Sequence, residues 1–423
     1  MSDRAPPPLW SAVLSTLRWL IMAPSFRMEP SEHPGGRQLL VDVSAIIRSD
    51  ARTGIQRVVR ALLRQLLHAD MPGVTVQPVF ASRNHGFAAA DFLADGRVVN
   101  ASRFANGLKP VAVRKGDIFL GLDLAAHMLP AAEVQLTGWR RAGVSVNMLV
   151  YDLLPISQPE WFSEKLVRNF HRWLGVVGRQ SDRCICISAA VAQALADQLS
   201  AMNVSPLPAI VAIPLGWDLG ASFPSLGLPD DFPELLNWMR SGRTILTVGT
   251  IEPRKGHGQL LDALDHLWQS DPASDIALLV VGRAGWRTKQ LQERMRNHSE
   301  KGRRLIWLDQ VSDEFLSAIY RNCAGLIAAS YQEGFGLPLV EAAANGAPTL
   351  ARDIPVFREV GGPSFDYFQN DTPTALADRI KQWLSDAKSP STREIGSFPR
   401  WEDSAAALLN HLELAPQRSI IVR

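Results

Sequence analysis

The chain has 423 residues, which at about 150 residues per domain predicts two or three domains. Lys and Arg total 44 and Asp and Glu total 42, so the net charge of +2 argues against a dedicated nucleic-acid binder. Hydrophobic residues at 46% and charged residues at 20% exclude wholesale disorder. Three cysteines exclude a disulfide scaffold, and the spacing of Cys184 and Cys186 fits neither C-x-x-C nor a zinc cluster.

Residues 1–36 differ in composition from the rest of the chain. Prolines bracket an apolar stretch at 9–23, in which Leu9, Val13 and Leu17 recur at helical spacing. The stretch is shorter than the ~20 residues that span a bilayer and has no small-residue cleavage site, so it is not interpreted as a signal peptide. We expect an interfacial helix on the inner face of the cytoplasmic membrane, a helix docked on the protein itself, or a frayed terminus. The expected location is cytoplasmic.

From residue 37 onward, apolar runs of strand length alternate with segments of helical period. The first series lies at 39–43, 74–80, 117–122, 144–150, 183–187 and 209–213. The second series lies at 244–248, 276–281, 305–308, 325–329 and 348–351. Continuous apolar strands alternating with helices are typical of parallel sheets that are covered on both faces. The sequence therefore predicts an α/β fold with two doubly wound, Rossmann-like domains.

The join between the two series is marked by three prolines, Pro224, Pro229 and Pro233. Residues 216–218 just before them are the predicted hinge. We expect a last helix after residue 398 to cross back to the first domain. The predicted divisions are an N-terminal extension at 1–36, a first Rossmann-like domain at 37–218, a second Rossmann-like domain at 219–398, and the final helix and tail at 399–423.

A glycine loop at 333–341 follows one predicted strand and opens a helix. Gly334 and Gly336 permit close backbone approach at the carboxyl end of a parallel strand, where ligands bind in such sheets. The helix start suits a diphosphate, whereas Glu333 and Glu341 are suited to accept sugar hydroxyls. The loop residues predicted to touch the donor are Glu333, Gly334, Phe335, Gly336, Leu337 and Glu341.

Two further loops also follow strands. Arg254 and Lys255 lie on the loop after 244–248, where a planar guanidinium and a compact ammonium could stabilise a leaving diphosphate. Gly54 lies after the first strand and could let the backbone approach a bound donor. Arg57 is the arginine of the following helix that lies nearest this loop, so it is the best candidate there for ligand contact.

Other polar residues lie at predicted strand ends. Asp152 and Tyr151 follow the strand at 144–150, and Asp123 follows the strand at 117–122. The acceptor-side candidates are Tyr151, Asp123 and Arg57, with His127 and Ser188 weaker. Arg283 follows the strand at 276–281 and is expected to approach the nucleotide. His257 is expected to cap or pack, and Ser188 to begin a helix as its N-cap.

The three loops in this order resemble the retaining glycosyltransferases of family 4, which have the GT-B fold with a cleft between two domains. Glu333 to Glu341 matches the E-x7-E signature of that family, and Arg254 with Lys255 matches its phosphate-binding pair. Gly54 matches its amino-terminal glycine-rich loop. The resemblance covers about residues 39–415 and is strongest to bacterial polysaccharide and O-antigen mannosyltransferases.

This resemblance implies roles for the matching residues. Glu333 would contact the donor sugar, Glu341 the ribose hydroxyls, Arg254 and Lys255 the diphosphate, and Val311 the base. It also implies metal-independent transfer with retention and without a cofactor, and the sequence contains no D-x-D triplet. The expected donor is a nucleotide sugar, with GDP-mannose favoured, and the expected acceptor is a glycan or a polyisoprenyl-linked glycan.

One position departs from the family. Tyr151 stands where a histidine commonly precedes the aspartate that is kept here as Asp152. A phenol, with an ordinary pKa of ~10, is a poor general base near neutral pH. This departure leaves open a non-catalytic nucleotide-sugar-binding partner. A separate alternative keeps the fold and changes the reaction, as in an epimerase or a phosphorylase. Dinucleotide oxidoreduction is disfavoured because no G-x-G-x-x-G follows a strand. The oligomeric state is not predicted.

Overall fold

The structure is a computed structural model that describes residues 36–48, 53–82, 86–90, 111–219, 227–369, 372–386 and 398–414. The helix predicted at 9–23 and the tail after residue 414 lie outside these residues. Within the described part of the chain, no helix combines the length and the apolar character needed to cross a bilayer.

The first sheet has seven strands in the order β3-β2-β1-β4-β5-β6-β7. Their bounds are β1 Arg37–Asp42, β2 Val74–Ser82, β3 Gly86–Ala89, β4 Ile118–Gly121, β5 Ser145–Val150, β6 Arg183–Cys186 and β7 Ala209–Ala212. All neighbouring strands are parallel except β2 and β3, which are antiparallel. In the register, Leu39 lies opposite Val76 on one side and Ile118 on the other.

Helices cover both faces of this sheet, as its continuous apolar strands require. Their bounds are α1 Gly54–His68, α2 Glu133–Arg141, α3 Leu154–Ser157, α4 Glu164–Gln180 and α5 Ala189–Ala201. The first helix buries an apolar stripe that includes Val58, Leu62 and Leu66. Its start is defined by Thr53 and Gln56, whose side chains each accept a hydrogen bond from the other's backbone N–H in a capping box.

The second sheet has six strands, all parallel, in the order β10-β9-β8-β11-β12-β13. Its strands are β8 Arg243–Val248, β9 Ile276–Val281, β10 Leu305–Leu308, β11 Gly325–Ala328, β12 Thr349–Arg352 and β13 Asp366–Phe368. Its helices are α6 Phe232–Arg240, α7 His257–Ser270, α8 Lys289–Arg296, α9 Asp313–Asn322, α10 Leu337–Ala344, α11 Pro355–Gly361 and α12 Pro373–Asp386. The predicted α/β fold with two parallel-sheet domains is confirmed.

The last described helix, α13 (Trp401–His411), packs against α1 of the first domain. Trp401 is 1% exposed, and its indole Nε1 donates to the carbonyl oxygen of Asp218 at 3.1 Å. A Cβ at Gly216 would meet the Trp401 nitrogen at 2.4 Å, so the chain between the two sheets passes directly beneath this helix. The helix therefore ties the end of the described chain to the first sheet.

Loops from the carboxyl ends of both sheets meet in space. The hydroxyl of Ser188, after β6, donates to the carbonyl oxygen of Gly334, after β11, at 2.8 Å. Arg57, in the helix after β1, forms ion pairs with Asp313 and Glu341 of the second domain. Since ligands bind at the carboxyl ends of parallel strands, the region where the two edges meet is the candidate site.

Candidate active site

Glu333 lies at the centre of the first charged cluster. Its carboxylate forms ion pairs with Arg254 and with Lys255, whose Nζ lies 2.5 Å from Oε1, and it accepts from the Ser330 hydroxyl at 2.8 Å. Burial would raise the pKa of Glu333, but Arg254 and Lys255 outweigh it and lower the pKa to about 2. The group is therefore an ionised acceptor at every physiological pH.

Arg254 is held from two sides. One of its guanidinium nitrogens pairs with Glu333, and Nη2 lies 2.7 Å from Oε1 of Glu252. Burial lowers the pKa of Arg254, but these two carboxylates more than offset it and raise the pKa overall. The short helical turn 253–255 thus presents two cations with a defined orientation, which is the arrangement that a diphosphate requires.

The backbone around Glu333 depends on two glycines. A Cβ at Gly334 would meet the carbonyl oxygen of Tyr151 at 2.0 Å, so this loop touches the first domain at a point where only glycine fits. Gly336 has a φ of 106°, and it precedes the first residue of α10. These two constraints explain why the loop has its G-F-G spacing.

Asp152 approaches the same cluster from the first domain. Its Oδ1 accepts from the backbone N–H of Leu154 at 3.1 Å. Burial raises the pKa of Asp152, and the nearby positive charge of Arg254 offsets part of that increase. Four predicted catalytic residues therefore lie together: Glu333, Arg254, Lys255 and Asp152.

Glu341 lies in a second charged cluster. Its Oε1 is paired with the guanidinium of Arg57, and its Oε2 accepts from the hydroxyl of Tyr320 at 2.8 Å. Asp313 binds the other terminal nitrogen of Arg57 at 2.8 Å. Arg57 was expected on the acceptor side, but the structure places it on the glutamate expected to bind the donor.

The remaining acceptor-side candidates are buried beneath the edge of the first sheet. Tyr151 is 2% exposed, and its hydroxyl donates to the carbonyl oxygen of Leu122 at 2.6 Å. Asp123 accepts from the backbone N–H groups of Ala45 and Ile46 at 2.7 and 2.6 Å, so it holds the loop after β1. Burial raises the pKa of Asp123 to about 6, with the backbone N–H groups opposing.

The other predicted residues have mixed surroundings. Gly54 is exposed at the first position of α1, and Arg283 is exposed after β9, whereas Val311 is half-buried. Phe335 and Leu337 are buried and belong to the core.

Ser188 is an N-cap, as expected, because its hydroxyl accepts from Val191 N–H at 3.1 Å. His127 is exposed. His257 is buried, and burial lowers its pKa to about 4.

Sequence reasoning missed several residues of these clusters. Ser330, whose hydroxyl donates to Glu333, had a usable signal because it follows a buried strand. Asp42, which lies near Asp123 at the edge of the first sheet, had the same kind of signal because it ends β1. Tyr320 had none, and its hydroxyl donates to Glu341 of the same domain. Arg57 and Asp313 lie 256 positions apart, and only the packing of the two domains brings this pair together.

Part of the chain matches a known protein family. Residues 233–395 match the family described as "Glycosyl transferases group 1". The matched part of the chain contains both glutamates and the Arg254–Lys255 pair.

Curated relatives are mannosyltransferases. The chain is 36% identical over 407 residues to the "Serotype-specific mannosyltransferase WbdA" of Escherichia coli, covering 94% of this chain and 48% of that protein. It is 38% identical over 133 residues to the "Phosphatidyl-myo-inositol mannosyltransferase" of Mycobacterium leprae, covering 30% of this chain and 33% of that protein. The chain thus spans about half the length of the relative that it matches along most of its own length.

Among solved structures, the fold resembles the sucrose-phosphate synthase of Thermosynechococcus elongatus. The TM-score is 0.63 at 17% identity, over 89% of this chain and 98% of that chain. The likeness extends over both sheets and supports the two-domain architecture.

Proposed function

We propose that this protein is a retaining, metal-independent glycosyltransferase that moves mannose from GDP-mannose to a glycan or a polyisoprenyl-linked glycan. The observation that carries the proposal is the cluster of Glu333, Arg254 and Lys255 where two parallel sheets meet at their carboxyl edges. The similarity to a serotype-specific mannosyltransferase supports mannose as the sugar and a bacterial surface polysaccharide as the product.

The cations have donors to spare for a diphosphate. An ammonium has three donors and a guanidinium five, and Glu333 uses only part of them. Arg254 and Lys255 can therefore bind phosphate oxygens while they still orient Glu333. The ionised Glu333 then accepts from hydroxyls of the donor sugar, which fixes the anomeric carbon beside the acceptor.

The reaction breaks the bond between the anomeric carbon and the diphosphate oxygen and forms a bond from that carbon to an acceptor hydroxyl. Arg254 and Lys255 stabilise the negative charge that develops on the leaving diphosphate. The acceptor's proton passes to that diphosphate on the same face of the sugar, which retains the configuration. Asp152, which approaches the cluster from the first domain, positions the acceptor hydroxyl.

In this proposal the protein acts at the inner face of the cytoplasmic membrane, where a polyisoprenyl-linked acceptor is embedded. The amphipathic pattern at 9–23 supports a peripheral contact. A vesicle co-sedimentation assay on the full chain and on a variant lacking residues 1–30 tests it, and equal sedimentation of the two would refute this contact.

A thermal-shift screen identifies the donor. The purified protein is heated with GDP-mannose, UDP-glucose, dTDP-rhamnose or ADP-glucose, without added metal. A ligand that binds only the folded state raises the melting temperature once its concentration exceeds its dissociation constant, and we expect this for GDP-mannose. If the melting temperature rises with another nucleotide sugar instead, the donor has that base and that sugar and GDP-mannose is wrong.

A transfer assay then tests the site. We expect Glu333→Gln and Lys255→Ala to reduce mannose transfer by about 100-fold or more, as for other removed charge-stabilising groups, while circular dichroism shows that both variants stay folded. Lys289→Ala, which removes an exposed cation at the start of α8, is the control. Donor binding without transfer by the wild type to any lipid-linked or glycan acceptor would favour a non-catalytic binding partner.

A further inference from the structure

Arg57 links the two domains through Glu341. It lies in the first turn of α1 in the first domain, whereas Glu341 and Tyr320 belong to helices of the second. Its Nη1 pairs with Oε1 of Glu341, and its Nη2 lies 2.8 Å from Oδ1 of Asp313. One guanidinium therefore spans two carboxylates of the opposite domain.

This contact removes Glu341 from solvent. The side chain of Glu341 is 1% exposed in this domain arrangement, and a buried carboxylate needs both a counter-charge and hydrogen bonds. Arg57 provides the counter-charge, and the Tyr320 hydroxyl provides a hydrogen bond to the second oxygen at 2.8 Å. Each oxygen of Glu341 thus has one partner, and the carboxylate plane is held from both sides.

The partners leave acceptor capacity unused. A carboxylate can accept about four hydrogen bonds, and Arg57 and Tyr320 account for two of them. One acceptor position stays open on each oxygen, which is the pattern that two adjacent hydroxyls can occupy. Because Glu341 is covered here, a ligand gains access when the domains separate and Arg57 moves away with α1.

We propose that Arg57 is a positioning residue that orients Glu341 toward the two ribose hydroxyls of the donor and so couples occupancy of the ribose site to domain closure. This inference rests on the proposed nucleotide-sugar function. In it, the ribose binds Glu341 in the open arrangement, and Arg57 returns on closure and completes the site.

Ribose discrimination tests this role. Titration calorimetry gives the dissociation constants of GDP, UDP and ADP and of their 2′-deoxy forms for the wild type and for Arg57→Gln, Glu341→Gln and Arg64→Gln. We expect the wild type to prefer the ribonucleotide by about 10-fold, the value of one good hydrogen bond to a charged group. In Arg57→Gln and Glu341→Gln the preference falls below about 3-fold. Arg64→Gln, in the same helix, keeps it.

Steady-state kinetics adds a second readout. We expect Arg57→Gln to raise the KM for the donor and to lower kcat less than Glu333→Gln does, because Arg57 acts on the ribose glutamate and on closure and not on Glu333. Arg57→Lys keeps the charge and should restore part of the ribose preference. If Arg57→Gln does not fold, Arg57→Lys measures the same quantity, and a preference equal to wild type would then refute the role.

The outcomes separate this inference from the function on which it rests. A full ribose preference in Arg57→Gln overturns the inference and leaves the transferase proposal intact, as does a wild type that binds ribo- and deoxyribonucleotides equally. If the wild type prefers a nucleotide with a base other than guanine, only the identity of the donor changes. The comparison of that nucleotide with its 2′-deoxy form then tests the role of Arg57. A wild type that binds no nucleotide overturns both.

Discussion

Glu333, in the loop before α10, and Glu341, in α10 itself, have different partners. Glu333 pairs with Arg254 and Lys255, both from its own domain, so its charge is balanced before any ligand arrives. Glu341 depends on Arg57 from the other domain. The charged partners of Glu333 therefore lie in its own domain, whereas Glu341 is paired with a cation of the other domain and hydrogen-bonded to Tyr320 of its own domain.

A second pair of acids lies at the edge of the first sheet. Asp42 ends β1 and is 1% exposed, and it accepts from the backbone N–H and the hydroxyl of Ser44. Burial raises its pKa from 3.8 to about 8, with Ser44 opposing and the negative charge of Asp123 adding to the increase. Asp42 thus holds a proton near neutral pH in the folded state.

This proton predicts how stability depends on pH. Because the pKa of Asp42 is higher in the folded state than the ordinary 3.8, its contribution is complete below pH 3.8 and is lost as pH rises to about 8. The loss approaches about 1.4 kcal/mol per pH unit for one group. We expect the free energy of unfolding of Asp42→Asn to fall less steeply with pH than that of the wild type. In urea unfolding, the stability of the variant relative to the wild type should therefore increase between pH 5 and pH 8.

The control for this measurement is Asp378→Asn, which neutralises an exposed carboxylate on α12. Wild type and this control should show the same pH dependence. Parallel curves for wild type and Asp42→Asn would show that Asp42 is ionised in the folded protein.

At the scale of elements, the charged side chains of the Glu333 cluster lie on loops that connect a strand to the next helix. The loop after β8 presents Arg254 and Lys255, and the loop after β11 presents Glu333. The start of α5 is an exception, because its free N–H groups are satisfied by the other domain. The Glu359 carboxylate accepts from Ala189 and Ala190 at 2.7 and 2.9 Å. This N-terminus is thus completed across the cleft.

The cap residue of α5 gives a second prediction. Ser188 accepts from Val191 N–H and donates to the Gly334 carbonyl oxygen, so Ser188→Ala removes two hydrogen bonds at once. We expect a loss of about 1 kcal/mol, which corresponds to a melting temperature lower by about 2–4 °C for a domain of this size. Ser188→Thr, which keeps the hydroxyl, is the matched control. An unchanged melting temperature in Ser188→Ala would contradict the cap.

At the scale of the whole molecule, hydrogen bonds from side chains of the second domain to backbone carbonyl oxygens of the first help to hold the two domains together. The Trp286 indole donates to the Trp161 carbonyl oxygen at 2.8 Å, and Arg287 donates to that of Glu160. Gly334 lies against the carbonyl oxygen of Tyr151. The last contact lies beside the charged cluster, so it sets how closely the two edges can approach.

Gly334 therefore supplies a prediction about closure. A Cβ there would lie 2.0 Å from the Tyr151 oxygen, and the domains must move apart to accept it. We expect Gly334→Ala to reduce turnover by about 100-fold, since a shift of about 1 Å at a reacting centre has that effect. Small-angle scattering should show a larger radius of gyration, while the melting temperature changes little.

Gly138→Ala on α2 is the matched control, because a Cβ there meets nothing within 4 Å and alanine favours the helix. It should leave turnover and the radius of gyration unchanged. Normal turnover in Gly334→Ala would mean that the approach of the two edges is not needed for the reaction.

The sequence alone determined the architecture and the first cluster. Apolar strand runs and intervening helical periods predicted two parallel-sheet domains, and both are present. Glu333, Arg254 and Lys255 were predictable because each follows a strand, and parallel strands of one sheet end at the same edge. Local spacing also identified Ser188 as a cap. Features of this kind can be predicted from the sequence because they depend on residues that are close together along the chain and remain close in the fold.

Only the tertiary structure decided the partners of Glu341 and the burial of Tyr151 and Asp42. Arg57 and Glu341 are separated by 284 positions, and no periodicity or turn signal connects residues so far apart. Their contact depends on how two independently folded sheets face each other. The pKa of Asp42 likewise depends on the removal of water by residues from several strands, which the sequence around it does not record.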